Sequence, residues 1–207
     1  MRLILIRHGE SLHSQRRLIA GERGCLGLTE PGQAQARALA ERLRRSGEAA
    51  NATALLSSPV PRARETATIL AETLALPAPD ITPGLAEVLP GDADGLVWPE
   101  YVERYGAFDM PAEPERPFAP NGESWNAFTA RVRAEHRRLA REYAGRTVLA
   151  VTHGGFIVMS LLAMFEIPRP GSGARIDPAF TSLTEWSVND GVWRLERYND
   201  VAHLAAF

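Results

Sequence analysis

The sequence contains no lysine: all 23 basic residues are arginine, set against 25 Asp and Glu for a formal net charge of −2. That balance lacks the basic excess of a general nucleic-acid binder, so no nucleic-acid partner is expected. Cys25 is the only cysteine, which excludes an intramolecular disulfide and a cysteine zinc cluster. It reads as a small, semi-buried structural residue. No stretch approaches the roughly 20 apolar residues needed to cross a bilayer. The N-terminal segment also lacks a charged stretch followed by an apolar one and a small-residue cleavage site. No membrane partner is therefore expected, and the chain reads as cytoplasmic. At 207 residues, 45% hydrophobic and 23% charged, it is long enough to bury a sizeable core. One domain over residues 1–207 is expected.

Short apolar runs alternate with helical patterns. Leu3-Ile4-Leu5-Ile6 reads as a strand buried on both faces, Ala54-Leu55-Leu56 as a second short strand and the β-branched-rich Val148-Leu149-Ala150-Val151 as another. Thr29 is a predicted N-cap with Pro31 in the first turn, and Ala36, Leu39, Ala40 and Leu43 share one face of a helix ending near Ser46, before Gly47. A second helix spans about Pro61 to Leu74. Ile81 to Val88 predicts an extended piece, and residues 98–108 a short helix. Residues 109–122, with Pro111, Pro114, Pro117 and Pro120, read as an ordered excursion without regular structure. Phe128, Val132, Leu139 and Tyr143 mark an amphipathic helix from Ser124, with His136 at the edge of its apolar stripe and arginines on its solvated face. A buried helix runs from Phe156 to Phe165. Asn189-Asp190-Gly191, between Ser182–Val188 and Val192–Tyr198, signals a hairpin. The expected architecture is a three-layer α/β/α sandwich with a mostly parallel central sheet and a C-terminal antiparallel hairpin.

Two strand-to-helix junctions share one form, strand then histidine then glycine: Ile6-Arg7-His8-Gly9 and Val151-Thr152-His153-Gly154. Ligands of open α/β sheets bind beyond the carboxyl ends of the strands. If these strands are neighbours, the two histidines face one another there. Glycine lets backbone approach a ligand, and a helix N-terminus offers free N–H groups to an anion. At a third junction Arg62 stands in the first turn of its helix, where the macrodipole disfavours a cation. A phosphate beyond the strand ends gives that placement a reason. Arg7, Arg62 and the two histidines together describe an anion site.

At these residues the chain resembles the histidine phosphatase superfamily, the phosphoglycerate-mutase-like fold, over nearly its whole length. The resemblance is carried by Arg7-His8-Gly9-Glu10, by Leu28 to Ala36, by Ser57-Ser58-Pro59 with Arg62, Thr66 and Ala67, by Glu87 followed by Gly91 and Gly95, by Gly122-Glu123-Ser124, by His153-Gly154-Gly155, and by Asn199-Asp200 with Ala202-His203-Leu204. It implies that neutral His8 attacks phosphorus to form a phosphohistidine, and that Arg7, Arg62 and His153 hold the non-bridging oxygens. Glu87 would protonate the leaving alkoxide and then activate water. Glu10 and His203 would orient the site, and Gly154 and Ser14 would add phosphate contacts. Ser14 and Ala20 stand where the family often carries Asn and Gln, and Val158 where it often carries an arginine.

The expected protein is thus a metal-independent phosphomonoesterase acting on a small phosphate ester, with no cofactor and no metal. The mutase branch usually shows a Trp-Asn pair where this chain has Leu12-His13-Ser14, and a longer insertion; the phosphatase reading is favoured. A catalytically silent phospholigand-binding domain predicts loss of His8 or Glu87, and both are present. A metallohydrolase using His8, Glu87 and His153 lacks any His-x-x-x-His spacing. Residues 91–122, with Trp98, Tyr101, Tyr105 and Phe108, are expected to cover the pocket as an insertion. Those aromatics either stack on a substrate or pack the insertion's own small core.

Overall fold

Residues of the central strands alternate between two apolar clusters, and this alternation builds the layers. Leu3, Leu5, Val148 and Ala150 pack with Phe128, Val132, Leu139 and Phe156 on one face. Ile4, Ile6, Leu149 and Val151 pack with Leu39, Leu43, Ala63, Ala67 and Leu70 on the other. Such strands must be apolar at every position. The computed structural model describes residues 1–168 and 175–205.

In chain order the elements are β1 (Arg2–Arg7), α1 (Leu12–Arg16), α2 (Glu30–Ser46), β2 (Ala52–Ser57), α3 (Pro61–Leu74), β3 (Asp80–Ile81), α4 (Trp98–Tyr105), α5 (Trp125–Glu142), β4 (Thr147–Thr152), α6 (Gly154–Met164), β5 (Leu183–Asn189) and β6 (Val192–Asp200). The sheet order is β3-β2-β4-β1-β5-β6. The first four strands of that order run parallel, and the β5–β6 hairpin adds antiparallel to β1. In the β1–β4 register Arg7 lies opposite Thr152, so His8 and His153 leave the sheet side by side. The two strands are indeed neighbours.

Local chemistry explains most boundaries. Thr29 accepts from the Gly32 amide as the N-cap of α2, and Gly47 ends that helix at φ 73°. Ser124 caps α5 by accepting from the Ala127 amide. Residues 81–88, expected to be extended, hold only the end of β3 and a 3₁₀ turn at Pro83–Leu85. The short helix α1 follows no apolar periodicity and buries no residue, which is why its pattern is silent.

The proline-rich excursion packs on α4. Tyr101 is fully buried, stacks on Phe118 at 4.7 Å between ring centroids and donates from its hydroxyl to the Phe118 carbonyl at 2.7 Å. Ala93 and Ala119 complete that small core, with Tyr105 and Phe108 against it. Most of the insertion's aromatics therefore pack one another. His136 lies deeper than its predicted edge position: it is fully buried, stacks on Phe156 and contacts the Val132 carbonyl through Nδ1 at 2.9 Å. Among the described residues no helix is long and apolar enough to cross a membrane.

Candidate active site

Beyond the carboxyl ends of β1 and β4 lies a cavity of about 520 Å³ whose wall includes Arg7, His8, His13, Arg62, Glu87 and Gly154. His8 is buried by the packing around its loop. Its amide donates to the Thr152 carbonyl at 3.0 Å, and the Gly9 amide donates to Thr66 Oγ1 at 3.1 Å. His8 Nδ1 lies 2.7 Å from the Gly9 carbonyl, an acceptor only, so Nδ1 carries the proton. The lone pair is then on Nε2, which accepts from Arg62 Nε at 3.1 Å. Burial first, then the charge of Arg62, holds the His8 pKa well below the usual imidazole value. The ring is thus a neutral base, aimed into the cavity.

Arg62 reaches that position from the first turn of α3 and is itself buried. Its Nη1 donates to the Ala20 carbonyl at 2.9 Å. Ala20 cannot touch a phosphate with its side chain, yet its backbone aims the guanidinium. Arg7 lies over Phe180, 4.2 Å from the ring centroid, and bonds to the Pro178 carbonyl and, at 3.4 Å, to Asp177. Its Nε is buried with no acceptor among the described residues. Asn199 Oδ1, accepting from the Ala179 amide at 2.7 Å, holds this 177–180 segment. His203 acts through the same region, its Nε2 being 2.8 Å from Thr181 Oγ1.

His153 is fully buried behind the wall, its ring centroid 5.2 Å from that of His8. Nε2 is 2.7 Å from Ser58 Oγ, whereas Nδ1 has no partner among the described residues. An unpaired buried N–H costs more than an unpaired lone pair, so the proton belongs on Nε2. Burial, followed by Arg62, lowers its pKa far below the ordinary value. Ser14 is not on the cavity wall; its hydroxyl pairs with Ser11 Oγ at 3.0 Å. The residue beside it, His13, lines the cavity instead and is held neutral, its pKa lowered to about 3 by burial and by Arg62 and Arg7. The sequence shows no signal for His13, because only the turn of α1 decides which of the two side chains faces inward.

Glu87 lines the same cavity as His8, one oxygen accepting from the Gly155 amide at 2.9 Å and the other from the Val88 amide at 3.1 Å. A side chain at Gly155 would overlap that carboxylate. The Glu87 segment is clamped by Arg131, which donates to the carbonyls of Gly84, Ala86 and Glu87 at 2.9–3.0 Å and makes a two-pronged pair with Glu123 at 2.7 Å. Sequence alone read Arg131 as part of a solvated face. Glu10 also supports the loop: its carboxylate accepts from Thr29 Oγ1 at 2.8 Å, and its amide donates to Gln35 Oε1 at 2.9 Å. Among the described residues no group of three or more His, Cys, Asp or Glu is arranged to hold a metal ion.

Comparison with known proteins agrees with this geometry. A family model for the histidine phosphatase superfamily (branch 1) matches residues 3–201. A metal-independent phosphoserine phosphatase of Arabidopsis thaliana is 30% identical over 208 residues, spanning 99% of this chain and 83% of the plant protein. A bifunctional protein of Mycobacterium tuberculosis is 34% identical over 98% of this chain, which spans only 55% of that longer relative. Among solved structures, YhfR of Bacillus stearothermophilus matches with a TM-score of 0.81 and 27% identity over 98% of both chains. With its central sheet, its paired strand-end histidines and a family match over nearly every residue, the chain belongs to the histidine phosphatase superfamily, branch 1.

Proposed function

We propose that this phosphatase hydrolyses phosphomonoesters through a covalent phosphohistidine on His8 Nε2. The observation that carries the proposal is the tautomer: the Gly9 carbonyl keeps the proton on Nδ1, which leaves the lone pair on Nε2, where it accepts from Arg62 Nε until a bound phosphoryl group takes over that donor. Arg62 Nε, once it turns from His8 Nε2 to a phosphoryl oxygen, the uncommitted Arg7 Nε and His13 supply donors to a bound phosphoryl group. His153 Nε2–H adds another when it exchanges Ser58 Oγ for a phosphoryl oxygen. These donors stabilise the charge that spreads over the oxygens in the transition state.

In the first step the Nε2–P bond forms as the ester P–O bond breaks, and protonated Glu87 gives its proton to the departing alkoxide. In the second, the Glu87 carboxylate takes a proton from water, whose oxygen attacks phosphorus and releases inorganic phosphate and neutral His8. No step requires a metal. Ile176 and Asp177, both on the cavity lining, are exposed, so water reaches the cavity on that side, as dephosphorylation requires. Residues 91–122 act as the cap of the catalytic domain, with Met110 and Phe118 on the cavity wall.

The test is an acid-labile, base-stable phosphoenzyme captured by rapid quench with an aryl phosphate, formed by wild type and absent in His8→Ala. Turnover should stay within about twofold after exhaustive chelation, because general acid–base and arginine chemistry replace the Lewis acid. An acid-stable phosphoenzyme, or activity that disappears with the chelator, would refute the mechanism.

Gly155→Ala tests Glu87 separately. The added methyl meets the end of a flexible side chain, so the fold survives while the carboxylate is displaced. We expect kcat/KM on alkyl phosphates, which reports the steps up to phosphoenzyme formation, to fall about 10²-fold, within the range of a lost general acid. The loss should be smaller on p-nitrophenyl phosphate, whose leaving group needs no proton. Equal losses on both esters, or none, would argue against this role for Glu87.

A further inference from the structure

Beyond the phosphate end the cavity changes character. Val88, Met110, Phe118, Trp125, Val158 and Met159 form much of its far wall. The cations among its described lining residues are Arg7 and Arg62, both at the phosphate end. Nearby Arg131 lies outside that lining and is consumed by Glu123 and three carbonyls. Asp177 adds a carboxylate at the mouth, paired with Arg7. Met159 is held in place by Thr129 Oγ1, 3.0 Å from its sulfur, and Trp125 opens α5 on the same side. An anionic group carried by the leaving alcohol would meet desolvation with no counter-charge, an unfavourable transfer. An apolar group would instead bury its surface against sulfur and aromatic carbon.

Resting on the phosphatase reading above, we infer that the substrate is the phosphomonoester of an uncharged, apolar alcohol with an aromatic-sized body, and that Val158, Met110 and Phe118 determine this specificity. The plant relative's phosphoserine carries a carboxylate and an ammonium on its alcohol. The far wall here offers the carboxylate no cation among the described residues, its side-chain N–H on Trp125 being neutral. Phe118 has two contacts, closing the small core through Tyr101 and lining the cavity. Cap packing and substrate choice are thereby joined in one residue.

The test compares 2-phenylethyl phosphate with O-phosphoserine and 3-phosphoglycerate, all esters of alkyl alcohols, so that intrinsic leaving-group reactivity is alike. Wild type should show kcat/KM at least about 30-fold higher on the phenylethyl ester, chiefly through KM, as expected for burial of one ring. Val158→Arg, on a half-buried position where a long side chain can reach polar surroundings, should lower the phenylethyl value about tenfold and raise that for 3-phosphoglycerate by a similar factor. Met110→Ala, a milder change outside regular structure, should weaken only the phenylethyl ester. Equal or better use of phosphoserine or phosphoglycerate by wild type would overturn the inference and leave the phosphatase intact. Failure to hydrolyse any of the three esters, or an aryl phosphate, would instead overturn the phosphatase reading. Were Val158→Arg folded and its preference unchanged, the assignment of that wall would fall.

Discussion

His8→Ala should lower kcat on any phosphate ester by about 10⁴-fold or more, equivalent to at least about 5.5 kcal/mol of activation free energy. The size follows from what is removed. Without Nε2 there is no covalent intermediate, and water must attack the ester directly in a cavity arranged for an attacking nitrogen. Arg7, Arg62 and Glu87 remain, so residual turnover above the uncatalysed rate is expected. The backbone around position 8 is held by the Thr152 carbonyl and by Thr66 through the Gly9 amide, neither of which involves the imidazole. The variant should therefore fold, and circular dichroism with a steady-state rate measurement checks both halves. A loss below tenfold in a folded variant would remove His8 from the chemistry.

Arg62→Ala should reduce kcat/KM by about 10³-fold, the scale seen when an arginine leaves a phosphoryl-transfer site. It carries a second signature that a purely structural residue would not. Arg62 is, after burial, the largest cause of the lowered His8 pKa. Its removal raises that pKa, so at a given acidic pH more His8 is protonated and fewer molecules carry the free lone pair. The acid limb of kcat/KM should move to higher pH, and the wild-type-to-variant ratio should widen as pH falls from about 8 to 5. Arg62→Lys should restore part of the pH behaviour through its charge but little of the rate, since an ammonium lacks the forked donors that reach both Ala20 and the phosphate position. The measurement is a pH profile of kcat/KM for the three enzymes. Coincident acid limbs with a small rate loss would show that Arg62 neither clamps phosphate nor tunes His8.

Some of this was legible in the residues themselves. Leu3 to Ile6 and Val148 to Val151 are apolar at every position because both faces are covered, and that run pattern identifies central parallel strands without tertiary information. Thr29, Gly47 and Ser124 mark helix ends through local hydrogen bonds and backbone sterics, which a short sequence window contains. Arg62 stood out because a cation in a first helical turn opposes the macrodipole. Other features had no local signature. Whether Ser14 or His13 faces the cavity depends on how a five-residue helix is rotated against the rest of the loop. Arg131 looked like one of several arginines on a charged helix; its clamp on residues 84–87 exists only because the chain returns there after more than forty residues.

Arg7-His8-Gly9 and the apolar strands before and after it are properties of the chain's own order, and they determined the layers, the strand-end site and the reacting type of residue. Periodicity and capping act over a few residues, so one-dimensional order suffices for them. What the tertiary structure decided is the chemistry's fine control: the proton on His8 Nδ1, the approach of Arg62, the burial that keeps His153 neutral, and the apolar far wall. Each depends on desolvation and on donors brought from distant segments, and desolvation belongs to a three-dimensional surround rather than to neighbours along the chain.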